Sequence, residues 1–202
     1  MYFSNKLGNR EVLGFLLFFG PLQFIITVLI AEGIADSYNS SLYYVSSLGV
    51  GTTAFLFNTT VLILGLCVLL GTYFFYKEYA VRVPTLFLLL TAICAIGVGI
   101  FPEDSPPFHG IFTGFVFLFA AIFLISSIKI DQSFTLVSMT ILGGVILSAS
   151  ILFLPYLGLE VEDPQTFLGF MKGTLERFII YPTLSGFLVL SGYLSRKTEA
   201  NG

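Results

Sequence analysis

Six apolar stretches of about twenty residues each recur along this chain, and they decide what it can fold into. A helix rises about 1.5 Å per residue, so each stretch is long enough to cross a hydrocarbon core of about 30 Å. They are drawn at residues 12–33, 55–76, 83–101, 110–128, 134–157 and 174–194. Inside lipid every backbone N–H and C=O must be satisfied within the protein, which leaves helices and closed barrels as spanning structures. Runs of this length predict helices. The chain is therefore expected to be all-α, a polytopic integral membrane protein with six transmembrane helices in one bundle, forming a single domain over residues 1–202. Charged residues make up only 10% of it, against about 25% in a soluble domain.

The first apolar run has no small-residue cleavage site before the next polar stretch, so it is expected to stay in place as the first span. Cys67 and Cys94 lie apart inside apolar runs and read as buried thiols, which excludes a C-x-x-C disulfide oxidoreductase. A single histidine excludes haem held by two. No cofactor and no metal site is expected.

Seven of the nine Lys and Arg residues fall on one side of the six spans: Lys6, Arg10, Lys77, Arg82, Lys129, Arg196 and Lys197. The positive-inside rule then places both the N- and C-termini in the cytoplasm of a cell whose plasma membrane the chain spans. Eight of the twelve acids fall on the opposite side: Glu32, Asp36, Glu103, Asp104, Glu160, Glu162, Asp163 and Glu176. The net charge of −3 is thus a property of the outer face, and it argues against a nucleic-acid partner.

Four groups of polar residues gather on that face. The connection Phe101–Gly110, FPEDSPPFHG, holds three of the eight prolines, Glu103, Asp104 and the only histidine, His109. The loop Ser37–Asn58 is uncharged and aromatic, which fits a re-entrant or interfacial segment. Glu32 and Asp36 lie one helical turn apart. Glu176 and Arg177 open the last span; neighbours on a helix point about 100° apart, so each must find a partner on another element. Glu32, Glu103 and Asp104 are the acids available to Arg177, and Tyr181 shares its helical side. Glu176 suits the positive end of the helix dipole. The plainer reading of this pair is an ion pair that locks the last helix; the other is a ligand site, since Arg binds phosphate and carboxylate well. His109 reads as a helix-start residue, a general base or a metal ligand, with no second histidine to support the last. The sequons at Asn39 and Asn58 are chance matches.

Pro21, Pro155 and Pro182 lie inside the first, fifth and sixth spans and are expected to kink them. Gly65, Gly71, Gly97, Gly99, Gly143 and Gly144 are expected at close helix contacts. No internal repeat is evident.

The tract Tyr43-Tyr44-Val45-Ser46-Ser47-Leu48-Gly49-Val50-Gly51, then Phe57-Asn58, then Phe-Pro-Glu-Asp and His-Gly at 101–110, then Leu-Glu-Arg and Tyr-Pro in the last span, resembles an uncharacterised six-span family. That family is known as a domain of unknown function in archaeal and bacterial membrane proteins, and the resemblance covers nearly the whole chain. It implies that Ser46, Gly49, Asn58, Pro102, Glu103, Asp104, His109, Glu176, Arg177 and Pro182 occupy the family's recurrent polar positions. Ser47 stands where the family usually carries an acid, so a metal or proton role for that acid does not transfer. The layout is more distantly similar to the Frag/DRAM/Sfk superfamily, which implies lipid homeostasis by analogy.

Three readings of function follow. The first is a lipid-handling protein whose outer-leaflet pocket, built from Asn58, Glu103, Asp104, His109, Glu176 and Arg177, binds a head group of membrane lipids. The second is an intramembrane enzyme on lipid or isoprenoid substrates, with His109 and Glu103 or Asp104 as its acid–base pair; no catalytic residue is otherwise assigned. The third is an accessory subunit of an oligomer or membrane complex, its ion pairs serving packing alone.

Overall fold

The computed structural model describes residues 8–130, 133–156 and 164–199, the side chains of residues 134 and 196–199 excepted. Six long helices dominate: α1 (Asn9–Ile34), α2 (Ala54–Tyr79), α3 (Arg82–Ile100), α4 (Phe108–Ser126), α5 (Phe134–Phe153) and α6 (Lys172–Glu199). All six are long and apolar enough to cross a membrane, with mean hydropathies from 1.4 to 2.5. Each packs against its neighbours in sequence, and α6 closes the ring on α1. Consecutive helices run antiparallel, as contacts such as Arg10 with Glu78 and Gly65 with Ile96 require. The start of α1 and the end of α6 consequently lie at one end of the bundle, where Ser191 Oγ donates to the Gly14 carbonyl at 2.8 Å. That end is called terminal here; the opposite one is the loop end.

Lipid tails are as apolar as leucine, so side-chain packing and close backbone approach must hold such helices together. In the terminal half the ring is filled: Phe123 stands edge-on to Phe75, centroids 5.6 Å apart, and tilts over Phe187 at 5.9 Å. Small residues supply the close approaches. A Cβ on Gly97 would overlap the Phe112 ring, and one on Gly65 would come within 2.9 Å of the Ile96 nitrogen. Gly99 and Gly143 are equally confined, and Gly71 makes ordinary contact with Leu13 and Leu17. Gly144 does not behave as expected: nothing lies within 4 Å of the Cβ it lacks. Hydroxyls inside the helices, such as Thr72, Thr91 and Thr183, bond back to the carbonyl four residues earlier. A reciprocal polar tie joins α1 and α2. Gln23 Nε2 donates to the Thr60 carbonyl at 3.0 Å, and Thr60 Oγ1 donates to Gln23 Oε1 at 2.5 Å.

Several boundaries differ from the spans read off the sequence. α4 begins at Phe108, so His109 sits in its first turn rather than in the connection. α5 ends at Phe153, and Pro155 belongs to a 3-10 turn over Leu154–Tyr156, not to the helix interior. A proline has no N–H to continue the ladder, and its ring crowds the carbonyl four residues back. Residue 157 lies outside the described residues. Pro21 and Pro182 are inside α1 and α6 as expected. A two-stranded hairpin, β1 (Thr166–Phe167) with β2 (Phe170–Met171), was not legible in the sequence. Its two-residue turn holds Leu168 at φ 52° and Gly169 at φ 80°, the positive values a tight hairpin needs.

The charges divide as the loops do. At the terminal end Arg10 Nε and Nη2 both reach Glu78 Oε1, at 3.0 and 2.6 Å. Glu32, Asp36, Glu103, Asp104, Lys172, Glu176 and Arg177 lie at the loop end. Lys6, Glu160, Glu162 and Asp163, assigned to sides above, fall outside the described residues, as do the side chains of Arg196 and Lys197.

Candidate functional site

The segment between α1 and α2 is not an interfacial strip. It folds into the ring opening, where Val45 and Leu48 are each only 1% exposed. Two 3-10 turns, Ser46–Gly49 and Gly51–Thr53, form its inner part. The sequence explains the docking locally. Thr53 Oγ1 closes back on the Leu48 carbonyl at 2.7 Å, and Asn58 Nδ2 donates to the Gly49 carbonyl at 3.0 Å. Gly49 lies so near Asn58 and Phe57 that any side chain there would collide with them.

Glu176 and Arg177 grip this plug from the start of α6 by opposite means. The Glu176 carboxylate accepts the N–H of Val45 and is also bonded to the backbone of Ser46. The Arg177 guanidinium donates to the Ser40, Gly173 and Tyr43 carbonyls at 2.5, 3.0 and 3.4 Å, and to Tyr38 Oη at 2.9 Å. It also pairs with Glu32 on α1, one of the three acids the sequence offered it. Burial raises the Tyr38 phenol well above its ordinary pKa despite the adjacent Arg177. Gly173 lets the plug lie on α6: a Cβ there would come within 2.7 Å of the Ser40 carbonyl oxygen and 2.8 Å of that of Ser41. Adjacent residues that point apart thus serve one purpose. Arg177 takes the plug's carbonyls, and Glu176 takes its amides.

Three spaces surround the plug. A groove of about 530 Å³ runs outside it, bordered by Asp36, Tyr38, Ser47, Thr53, Glu103 and Asp104. A vestibule of about 310 Å³ lies between the plug, α4 and the end of α5, bordered by Ser46, Glu103, His109, Gly114, Ser150 and Glu176 among others. A narrow chamber of about 90 Å³ continues along the ring axis toward Phe187 and Val68. Ser46, Thr113, Phe117 and Glu176 border both vestibule and chamber, and Glu103 borders both groove and vestibule. On the α4 side the vestibule wall is thin. Gly110 and Gly114 are exposed, with nothing within 4 Å of the Cβ that either lacks. Leu154, facing them from beyond α5, is 58% exposed. The ring is therefore open between α4 and α5 at this end.

Of the sequence-derived site residues, Glu103, His109 and Glu176 share the vestibule. Asp104 faces the groove. Asn58 ties the plug to α2, and Arg177 is engaged on the far side of Glu176, so neither borders the vestibule. His109 is held at both ring nitrogens: Nδ1 lies 2.8 Å from the Phe101 carbonyl and Nε2 lies 3.2 Å from Thr113 Oγ1. A carbonyl only accepts, which fixes Nδ1 as the donor and leaves Nε2 to accept the threonine proton. Desolvation raises the pKa of Glu103; the Ser47 hydroxyl and the positive charge of Lys172 oppose this, and Asp104 adds to it. Two contributors escaped the sequence reading. Thr113 stands one turn after His109, a spacing that points to it once the helix start is known. Lys172 is fully buried at the first position of α6, its ammonium 5.4 Å from the centre of the Tyr44 ring. No group of three or more metal-ligating side chains gathers among the described residues.

Comparison with curated proteins and with solved structures gives no match. A family model does match, over residues 18–192, which takes in α2 to α5, most of α1 and α6, the plug and the vestibule. The chain belongs to the family described as protein of unknown function DUF998.

Proposed function

We propose that the protein binds a membrane amphiphile, its polar end in the vestibule and its chain passing between α4 and α5 into the bilayer. The observation that carries this reading is the vestibule itself. It has the volume of a small-ligand site, about 300 Å³ or more, and it sets Glu103, His109 and Glu176 beside a gap in an otherwise apolar wall. Ionisable groups at membrane depth are costly unless they serve packing or function. Arg177, Glu32 and Glu176 hold the plug, and among the carboxyl groups of the vestibule Glu103 remains. The chamber of about 90 Å³ is too small for an acyl chain, so the chain belongs in lipid. Counting basic residues puts the loop end outside the cell, with the polar site in the outer leaflet of the plasma membrane. An enzyme using His109 as general base has less support, because both ring nitrogens are bonded within the protein.

Native mass spectrometry of the purified protein beside Gly114→Phe tests the proposal. Gly114 borders the vestibule, and its missing Cβ meets nothing within 4 Å, so a phenylalanine fills the space without disturbing a helix contact. A defined lipid adduct on the wild type, absent from a Gly114→Phe protein with an unchanged melting temperature, is the expected result. A wild type that carries no adduct, or an adduct that survives the substitution, refutes the reading.

A further inference from the structure

The vestibule also carries information about the polar group it would take, an inference that rests on the reading above. Its described lining contains two carboxylates, Glu103 and Glu176, and no Lys or Arg. The cations nearby are engaged elsewhere. Arg177 is bonded to Glu32, Tyr38 and backbone carbonyls, and the buried Lys172 ammonium lies behind the Tyr44 ring, which separates it from the vestibule that Tyr44 lines. The groups facing Glu103 are Ser47, His109, Lys172 and Asp104; those facing Glu176 are the Val45 and Ser46 amides, Glu103 and Arg177. His109 directs its N–H to the Phe101 carbonyl, so it offers the vestibule no donor. Ser46 is 8% exposed and borders both vestibule and chamber, and its hydroxyl is bonded to no other described residue. It borders the vestibule and is placed to meet a ligand. The lining is thus rich in acceptors, and the Ser46 hydroxyl has no partner among the described residues.

We infer that the vestibule selects an amphiphile whose head carries hydrogen-bond donors and no net negative charge, an ammonium or a polyol, and rejects a phosphate monoester. A phosphate would meet the acceptor oxygens of Glu103 and Glu176 with no Lys or Arg in the lining to bind it. An ammonium or hydroxyl donates to Glu103, which the outer groove also reaches, and a hydroxyl completes Ser46.

The test uses the full chain in phosphatidylcholine nanodiscs, whose head group has no donor, with added decylamine, decyl glucoside or decyl phosphate. At ten times the dissociation constant a bound probe raises the melting temperature by about 3–6 °C. The expected result is a rise with decylamine or decyl glucoside and none with decyl phosphate. Glu103→Gln distinguishes the two donor heads, because an amide still accepts from a hydroxyl but no longer balances an ammonium: it abolishes a decylamine shift and keeps a decyl glucoside shift. A larger shift with decyl phosphate than with either other probe overturns the inference, as does a wild-type shift by either donor probe that survives both Glu103→Gln and Ser46→Ala. Gly114→Phe separates this failure from failure of the site. Shifts that vanish in Gly114→Phe but favour phosphate leave the vestibule standing and refute the head-group class. Shifts that persist there, or no shift with any probe, refute the vestibule as a binding site and the inference with it.

Discussion

Replacing Arg177 with methionine decides whether the most conspicuous charge in the sequence holds the fold or holds a ligand. The side chains of Arg177 and Glu32 are 12% and 19% exposed, so solvent screens their pairing only weakly. Methionine keeps the length and packing of the stem while removing the guanidinium. It leaves the Glu32 carboxylate unpaired at the membrane end of α1 and frees the Ser40 and Gly173 carbonyls from bonds of 2.5 and 3.0 Å. Removing one partner of a buried pair costs about 3–5 kcal/mol. The lost carbonyl bonds are part of that figure rather than an addition, because groups in one network do not sum independently. For a chain of this length each kcal/mol moves the melting temperature by about 2–4 °C, so a fall of about 6–20 °C is expected. The assay is thermal unfolding in one detergent at one scan rate, since membrane proteins often unfold irreversibly and the rate then sets the apparent midpoint. Glu32→Gln should cost less, because Arg177 keeps its carbonyls and Tyr38. Arg177→Lys should recover only part of the loss, since an ammonium cannot span acceptors arranged around a planar fork. An Arg177→Met protein that melts within about 2 °C of the wild type yet loses a bound lipid would show this argument to be wrong and return Arg177 to the ligand site.

Two further outcomes follow from the same geometry. Gly173→Ala should destabilise by about 1–3 kcal/mol, because its Cβ meets the carbonyls of Ser40 and Ser41, whereas Gly110→Ala, with open space around it, should not; equal melting temperatures would deny that the plug lies on the start of α6. Desolvation raises the Glu103 pKa above its unfolded value, so the folded state holds this proton more tightly. The stability linked to Glu103 is fully present below the unfolded pKa of about 4.3 and is lost as pH rises through the higher folded pKa. Melting temperature against pH should therefore fall across that window in the wild type and flatten there in Glu103→Gln; a parallel fall in both proteins would assign the pH dependence to another group.

What could be read from the sequence follows from where the physics is local. A twenty-residue apolar run specifies a spanning helix without reference to anything else, so the six helices, their alternation and the separation of charge at the two ends were legible. The need of Arg177 and Glu176 for partners on other elements was legible for a similar reason, since helix geometry alone forbids them each other. Which partner each takes was not. Glu32, Glu103 and Asp104 were equal candidates until the plug, held off the membrane surface by Gly49, Gly173 and Asn58, put Glu32 and three carbonyls around the guanidinium. The uncharged tract at 43–51 looks interfacial as a string because its aromatics and serines have no period; its burial comes from Glu176 accepting amides that a membrane surface would have left to water. The vestibule was further out of reach. It depends on α4 beginning two residues earlier than the hydropathy indicates, which moves His109 onto the helix and aligns it with Thr113, and on the open space where Gly110 and Gly114 lack a Cβ. Glycine in a spanning helix reads as a contact, and at Gly97 it is one; at Gly114 the same residue marks a gap. Sequence carries the residue type, and only the opposing surface says which of the two it serves.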